Sequence, residues 1–131
     1  MNESVDTNVL MRYFLADDLT ATNKAVKLLS KPGIVYHVSD VVFFELAIVL
    51  RRAYGYRNAE IADLMTVAMD TPQLRCNERV LRPTVEMFMR RPKLSFADCY
   101  MTVSARRNDV EPLWTFDRKL AIQAGSAELV R

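Results

Sequence analysis

The stretch "IVYHVSDVVFFELAIVLRRAYG", residues 34–55, decides the fold. Its first six residues, "IVYHVS", are rich in β-branched and aromatic side chains, the composition of a strand. From Val41 to Leu50 every residue except Glu45 is apolar. Arg51 and Arg52 then close the run, and Gly55 follows. Basic residues in a last turn, with a glycine just beyond, are the stop signals of a helix. A strand that leads directly into a long helix is half of a βαβ unit.

The same alternation extends in both directions. Strand-like runs stand at "SVD" (4–6), "QLRCN" (73–77), "PLWTF" (112–116) and "AELV" (127–130). Between them lie helical patterns: "NVLMRYFLA" (8–16), "TATNKAVKLLSK" (20–31, ended by Pro32-Gly33), "AEIADLMTVAMD" (59–70), "ERVLRPTVEMFMRR" (78–91), "SFADCYMTVSARR" (95–107) and "DRKLAIQAG" (117–125). Asn58 is the expected N-cap of the fourth helix. Pro83 must start, kink or split the fifth. Strands separated by helices pair in parallel through right-handed crossovers. The expected fold class is α/β, with a small, mostly parallel central sheet flanked by helices. With 131 residues and no repeat or linker, one domain over 1–131 is expected.

Composition narrows the function classes. Half of the residues are hydrophobic, enough for a core without staples. A net charge of +2 does not by itself announce a nucleic-acid binder. The basic clusters, Arg51-Arg52, Arg90-Arg91-Lys93, Arg106-Arg107 and Arg118-Lys119, read as solvated helix ends. Two cysteines, Cys76 and Cys99, are too far apart for a zinc site or a disulfide framework and fit a reducing compartment. "MNESVDTNVL" has no basic region followed by an apolar run, so no signal peptide is expected. The longest apolar run carries a glutamate and is too short to span a membrane. The expected location is the cytoplasm.

Sites in open parallel sheets lie at the carboxyl ends of the strands. Four acids from separate segments map to that edge: Asp6 after the first strand, Glu45 in the helix after the second, Asp98 in the first turn of a later helix and Asp117 after "LWTF". Asp6 and Asp117 are also good N-caps. Ser95 and Asp98 have the spacing of a capping box. Glu45 differs, because a helix apolar all round is expected to be buried, and a buried carboxylate needs a partner. No basic residue recurs at the equivalent strand ends. A divalent cation would serve all four acids, since Mg²⁺ and Mn²⁺ take hard oxygen ligands. It would also serve phosphodiester hydrolysis, by activating a water and stabilising charge on phosphate. His37, the only histidine, lies inside a strand and reads as structural, so a paired-histidine ribonuclease is excluded. With three glycines and no phosphate loop, a P-loop enzyme is excluded as well.

Taken together, "VDTNVLMRYFLADD", "VSDVVFFELAIVLRRAYG", "LSFADCYMTVSARR" and "TFDRKLA" resemble the successive motifs of PIN-domain ribonucleases, and among these the VapC toxins of bacterial toxin–antitoxin pairs. The resemblance covers nearly the whole chain. It implies a Mg²⁺- or Mn²⁺-dependent endoribonuclease, with the acidic quartet on Asp6, Glu45, Asp98 and Asp117 and supporting polar residues at Asn8 and Thr115. It implies an RNA substrate, often tRNA, a VapB-like antitoxin as partner, and a homodimer. It implies a first strand that is central and buried, although Asn2, Glu3 and Ser4 are polar. Two other readings stand beside it: a catalytically silent PIN-like module that binds RNA or protein, and a housekeeping PIN nuclease of RNA processing. The antitoxin is expected along residues 20–70, against Arg51, Arg52, Tyr54, Tyr56 and Arg57, with Met65 and Met69 lining its groove.

Overall fold

A computed structural model describes all residues, 1–131. Five short strands alternate with seven helices: β1 (Asn2–Ser4), α1 (Thr7–Phe14), α2 (Leu19–Leu29), β2 (Val35–His37), α3 (Asp40–Tyr54), α4 (Asn58–Met69), β3 (Leu74–Arg75), α5 (Glu78–Arg90), α6 (Phe96–Arg107), β4 (Leu113–Thr115), α7 (Arg118–Ala124) and β5 (Ala127–Leu129). Every strand pairing is parallel, as the alternation predicts.

The strands divide into two ladders, β1-β2-β3 and β4-β5, rather than one sheet. The composition of β1 gives the reason. Asn2, Glu3 and Ser4 are all exposed, and such a strand cannot lie between two others in a covered sheet. It stands at the edge of its ladder instead of at the centre. It also begins and ends two residues earlier than "SVD". Register puts Asn2 beside Val35 and Ser4 beside His37, all on one face. Tyr36 and Leu74 point to the other face, where both are buried.

The core gathers on that second face. Leu10, Leu29, Tyr36, Phe43, Leu46, Leu50, Ile61, Met65 and Leu81 are each almost wholly buried and belong to one apolar cluster, which Leu120, Ala124 and Ala127 extend to the β4-β5 ladder. Burying a side chain of this size is worth about 1.5–3 kcal/mol.

Three local expectations change. First, α3 is not buried all round. Its inner positions Val42, Phe43, Leu46, Ala47 and Leu50 are buried, but Val41, Glu45, Ile48 and Arg52 are exposed. These four follow the three- and four-residue steps of one helix face. Glu45 is therefore on the open side of its helix. Second, the N-cap of α4 is Arg57, whose backbone N–H donates to Glu60, and Asn58 is the buried first residue of the helix. Third, Met65 and Met69 are 0% and 8% exposed, so they belong to the core and line no docking groove. α5 runs unbroken through Pro83, and Gly55, at φ 68°, ends α3 in the left-handed conformation that favours glycine.

Candidate active site

A cavity of about 1140 Å³ lies over the polar face of the three-stranded ladder and reaches the carboxyl ends of all three strands. Ser4 and Asp6 line it from the end of β1, His37 and Asp40 from the end of β2, and Arg75 and Asn77 from the end of β3. Glu45 closes it from α3. The cavity is thus where the parallel-sheet rule places a site.

Asp6 and Glu45 are brought together here. Asp6 is the N-cap of α1, and its Oδ1 accepts the Val9 N–H at 3.1 Å, leaving Oδ2 without a protein partner. The next residue, Thr7, is buried, and its hydroxyl donates to Glu45 Oε1 at 2.7 Å. Glu45 Oε2 is likewise left without a protein partner. One residue pair at the start of α1 therefore supplies one acid and orients the other. The partner of Glu45 is in the first instance this hydroxyl, and the carboxylate is exposed rather than buried.

Asp98 and Asp117 lie outside the cavity. Asp98 completes the capping box of α6: its Oδ2 accepts the Ser95 N–H at 3.1 Å, and its own N–H donates to Ser95 Oγ at 3.0 Å. Two residues further on, the Tyr100 hydroxyl donates to Asp40 Oδ2 in the cavity wall, which brings the start of α6 to the cavity rim. Asp117 caps α7 and accepts from Lys119 N–H at 2.8 Å and Leu120 N–H at 3.3 Å. Thr115 accepts the Asp117 N–H at 2.9 Å and so shapes that turn. Asn8 is exposed and, with Asp6, lines a smaller pocket beside the cavity.

Sequence reasoning missed Thr7, Asp40 and Tyr100. Thr7 carried a signal, a hydroxyl directly after a capping acid. The Tyr100–Asp40 bond spans 60 residues of sequence, and no local pattern reveals it. Phe44 packs edge-on against both Phe96 and Tyr100, with centroids 5.5 and 4.8 Å apart, so the helices carrying Glu45 and Asp98 are clamped together. The hydrogen bond to Asp40, then burial, pushes the Tyr100 phenol up to about 12. In the cavity wall, burial pushes the Cys76 thiol up to about 11, with Glu78 adding to it. A thiol held that high is a poor nucleophile at neutral pH. His37 Nε2 meets Asn2 Oδ1 at 3.0 Å and ties β1 to β2, while the exposed ring also lines the cavity.

No three of the chain's histidine, cysteine, aspartate and glutamate side chains converge on a single metal position. Mg²⁺, however, usually binds through one or two carboxylates and keeps waters or substrate phosphate on its other positions. Asp6 and Glu45, each with a carboxylate oxygen directed to no protein donor, fit that requirement in donor chemistry. The soft donor nearby, Cys76, is not a ligand type that Mg²⁺ selects, since that ion takes hard oxygens.

A parallel α/β frame with a carboxylate pair at the ends of its strands defines the class of architecture. The particular family follows from comparison: the family model described as the PIN domain matches residues 4–125, and the chain belongs to that family. PIN domains are in general nucleases, hydrolases of phosphodiester bonds. No curated protein matches the chain. No helix is long and apolar enough to cross a membrane.

Proposed function

We propose that this protein is a Mg²⁺- or Mn²⁺-dependent endoribonuclease, and that it is the toxin of a VapBC-type toxin–antitoxin pair. The observation that carries the nuclease reading is the pair Asp6 and Glu45, stitched through Thr7 and open to one cavity at the strand ends. A metal ion bound there would supply an activated water and stabilise charge on the scissile phosphate. The chain's own residues do the rest. Asp6 and Glu45 hold the metal with hard oxygens. Thr7 fixes the rotamer of Glu45. The α3–α6 clamp holds the start of α6 at the cavity rim, and Asp98 and Asp117, which do not converge with the pair on one metal position, would act on the site through water.

The toxin reading rests on the order of the four motifs along the chain, with a VapB-like antitoxin and a homodimer as the assemblies it implies. The burial of Met65 and Met69 removes the antitoxin groove expected at those residues. Sequencing of RNA ends after brief induction in cells tests the reading. New ends at a few positions in one RNA class, absent from an Asp6→Asn control, are expected; ends identical in the two samples contradict it.

A further inference from the structure

Further along α3 from Glu45, toward the end of the helix, lies a second groove, of about 430 Å³, walled by α3, the segment before α6 and the start of α7. Four cations line it: Arg51 and Arg52 from α3, Lys93 from the loop, and Lys119 from α7. No aspartate or glutamate lines it. All four side chains are exposed, and none forms an ion pair. Only Arg12, Arg57, Arg82 and Arg106 are matched with an acid, and the lysines and arginines outside the groove are otherwise unpaired too, so what marks the groove is that four cations line one concavity without an acid among them. In a chain of net charge +2, four unmatched cations in one groove are a local concentration of charge.

Two further observations show that this groove is built. The Arg51 guanidinium donates to Oδ1 of Asn58, and the buried Asn58 amide in turn donates to the Phe88 carbonyl at 3.1 Å. A neutral amide thus fixes the guanidinium without cancelling its charge, which stays available to an outside anion. The groove also follows the acid site along one helix face. The exposed stripe of α3 runs Val41, Glu45, Ile48, Arg52: the first two line the acid cavity and the last two line the basic groove. At 1.5 Å per residue, Glu45 and Arg52 are about 10 Å apart along the helix.

We propose that this groove is the track for the phosphodiester backbone of a single RNA strand on its way to the acids, with Arg51, Arg52, Lys93 and Lys119 contacting phosphates on one side of the cut. The proposal rests on the nuclease reading given above. Unmatched arginine and lysine bind phosphate by releasing condensed counterions, and arginine pairs with phosphate through two parallel N–H donors.

The test is fluorescence anisotropy of a fluorescein-labelled single-stranded oligoribonucleotide, titrated with full-length protein in EDTA over a series of salt concentrations. Wild type is compared with Arg52→Glu/Lys93→Glu and with Lys27→Glu/Lys31→Glu, which makes the same charge change on α2 and the segment after it. Arg52→Gln/Lys93→Gln repeats the groove test with a smaller perturbation, and circular dichroism checks every variant for folding. Both groove variants are expected to bind at least about tenfold more weakly. Their slope of log affinity against log salt should be smaller by about 1.4, that is about 0.7 for each phosphate no longer neutralised. The α2 variant should stay near wild type. Equal weakening by the two glutamate variants would overturn the groove, because net charge alone would explain it. Tighter binding of a labelled polyglutamate peptide than of RNA, abolished in the groove variants, would overturn it in favour of an acidic protein partner. Failure of wild type to bind RNA, with or without added Mg²⁺, would overturn the nuclease reading and the groove with it.

Discussion

Asp6 and Glu45 share a cavity, and Thr7, the residue after Asp6, bonds Glu45; Asp98 and Asp117 each cap their own helix and line no cavity. As acids at strand ends the four look equivalent in the sequence. The structure separates them by what their oxygens already do. Asp6, like Asp98 and Asp117, spends one oxygen on the orphan N–H groups of its own helix start, but it faces the cavity, and the other acid there, Glu45, takes its hydrogen bond from a different segment. The first pair is the foundation of the proposed metal centre, and the second pair contributes to it only beyond its capping work.

This contrast can be broken most directly at the first pair. Asp6→Asn and Glu45→Gln are each expected to lower metal-dependent RNA cleavage by about two to three orders of magnitude, since metal charge stabilisation is worth several kcal/mol and each 1.36 kcal/mol is a factor of ten. Both changes keep the shape of the side chain, and an asparagine in place of Asp6 would still cap α1. Cleavage assays with matched thermal melts check this.

Thr7→Val sharpens the comparison one step out. It keeps a β-branched side chain of similar size and removes only the hydroxyl that holds Glu45 Oε1. Loss of a hydrogen bond that orients a metal ligand commonly lowers metal affinity about 10–100-fold. Mn²⁺ titration calorimetry of the variant should fall in that range. Unchanged affinity would show that Glu45 needs no such support.

For the second pair, the choice of substitution separates capping from catalysis. Asp98→Asn keeps an acceptor for Ser95 N–H, so stability should change little; Asp98→Ala should lose about 1 kcal/mol of helix-cap stability. If Asp98 joins the metal centre, the asparagine variant loses activity while its melting temperature holds. Asp117→Asn should follow the same pattern with a smaller loss, because its hydrogen bonds stay within the start of α7 and no bond ties that turn to the cavity wall. An active Asp98→Asn enzyme would leave Asp98 as a cap and nothing more.

The smallest effect belongs to the clamp. Tyr100→Phe removes the hydroxyl bonded to Asp40 and should destabilise the fold by about 1 kcal/mol. The fold raises the Tyr100 pKa above its ordinary value of 10, so it favours the neutral phenol. The stability this contributes is whole below about pH 10 and is lost as the pH rises through about 12. Absorbance titration at alkaline pH should show the latest-titrating tyrosine of wild type missing from the variant, with Tyr36 and Tyr54, which burial and the Asp17 hydrogen bond also push up, still present.

Much of this architecture is legible in the residues themselves. The strand–helix alternation from Ile34 to Gly55 foretells parallel pairing, and two of the four acids at strand ends, Asp6 and Glu45, line the cavity there while Asp98 and Asp117 do not. These features are local, carried by periodicity, caps and turn residues. What is not legible is what depends on distant pieces meeting. The run from Val41 to Leu50 reads as apolar on every side, yet Val41 and Ile48 are 60% and 52% exposed, because only one face of α3 finds the core. Methionines at core spacing and methionines in a docking groove have the same pattern, and burial alone tells Met65 from a groove residue. The division into two ladders follows from the polarity of Asn2, Glu3 and Ser4, which is visible in the sequence but stands against the central strand that the family resemblance implies.

The most direct test of the central claim, that Asp6 and Glu45 are the heart of a metal-dependent ribonuclease, is the rate of cleavage of a labelled single-stranded RNA by purified protein, with Mg²⁺ or Mn²⁺ and with excess EDTA, beside an Asp6→Asn sample prepared in the same way. The account predicts cleavage by wild type with metal, none in chelator, and a rate at least about a hundredfold lower for Asp6→Asn. Undiminished cleavage in chelator, or equal rates for Asp6→Asn and wild type, would contradict it.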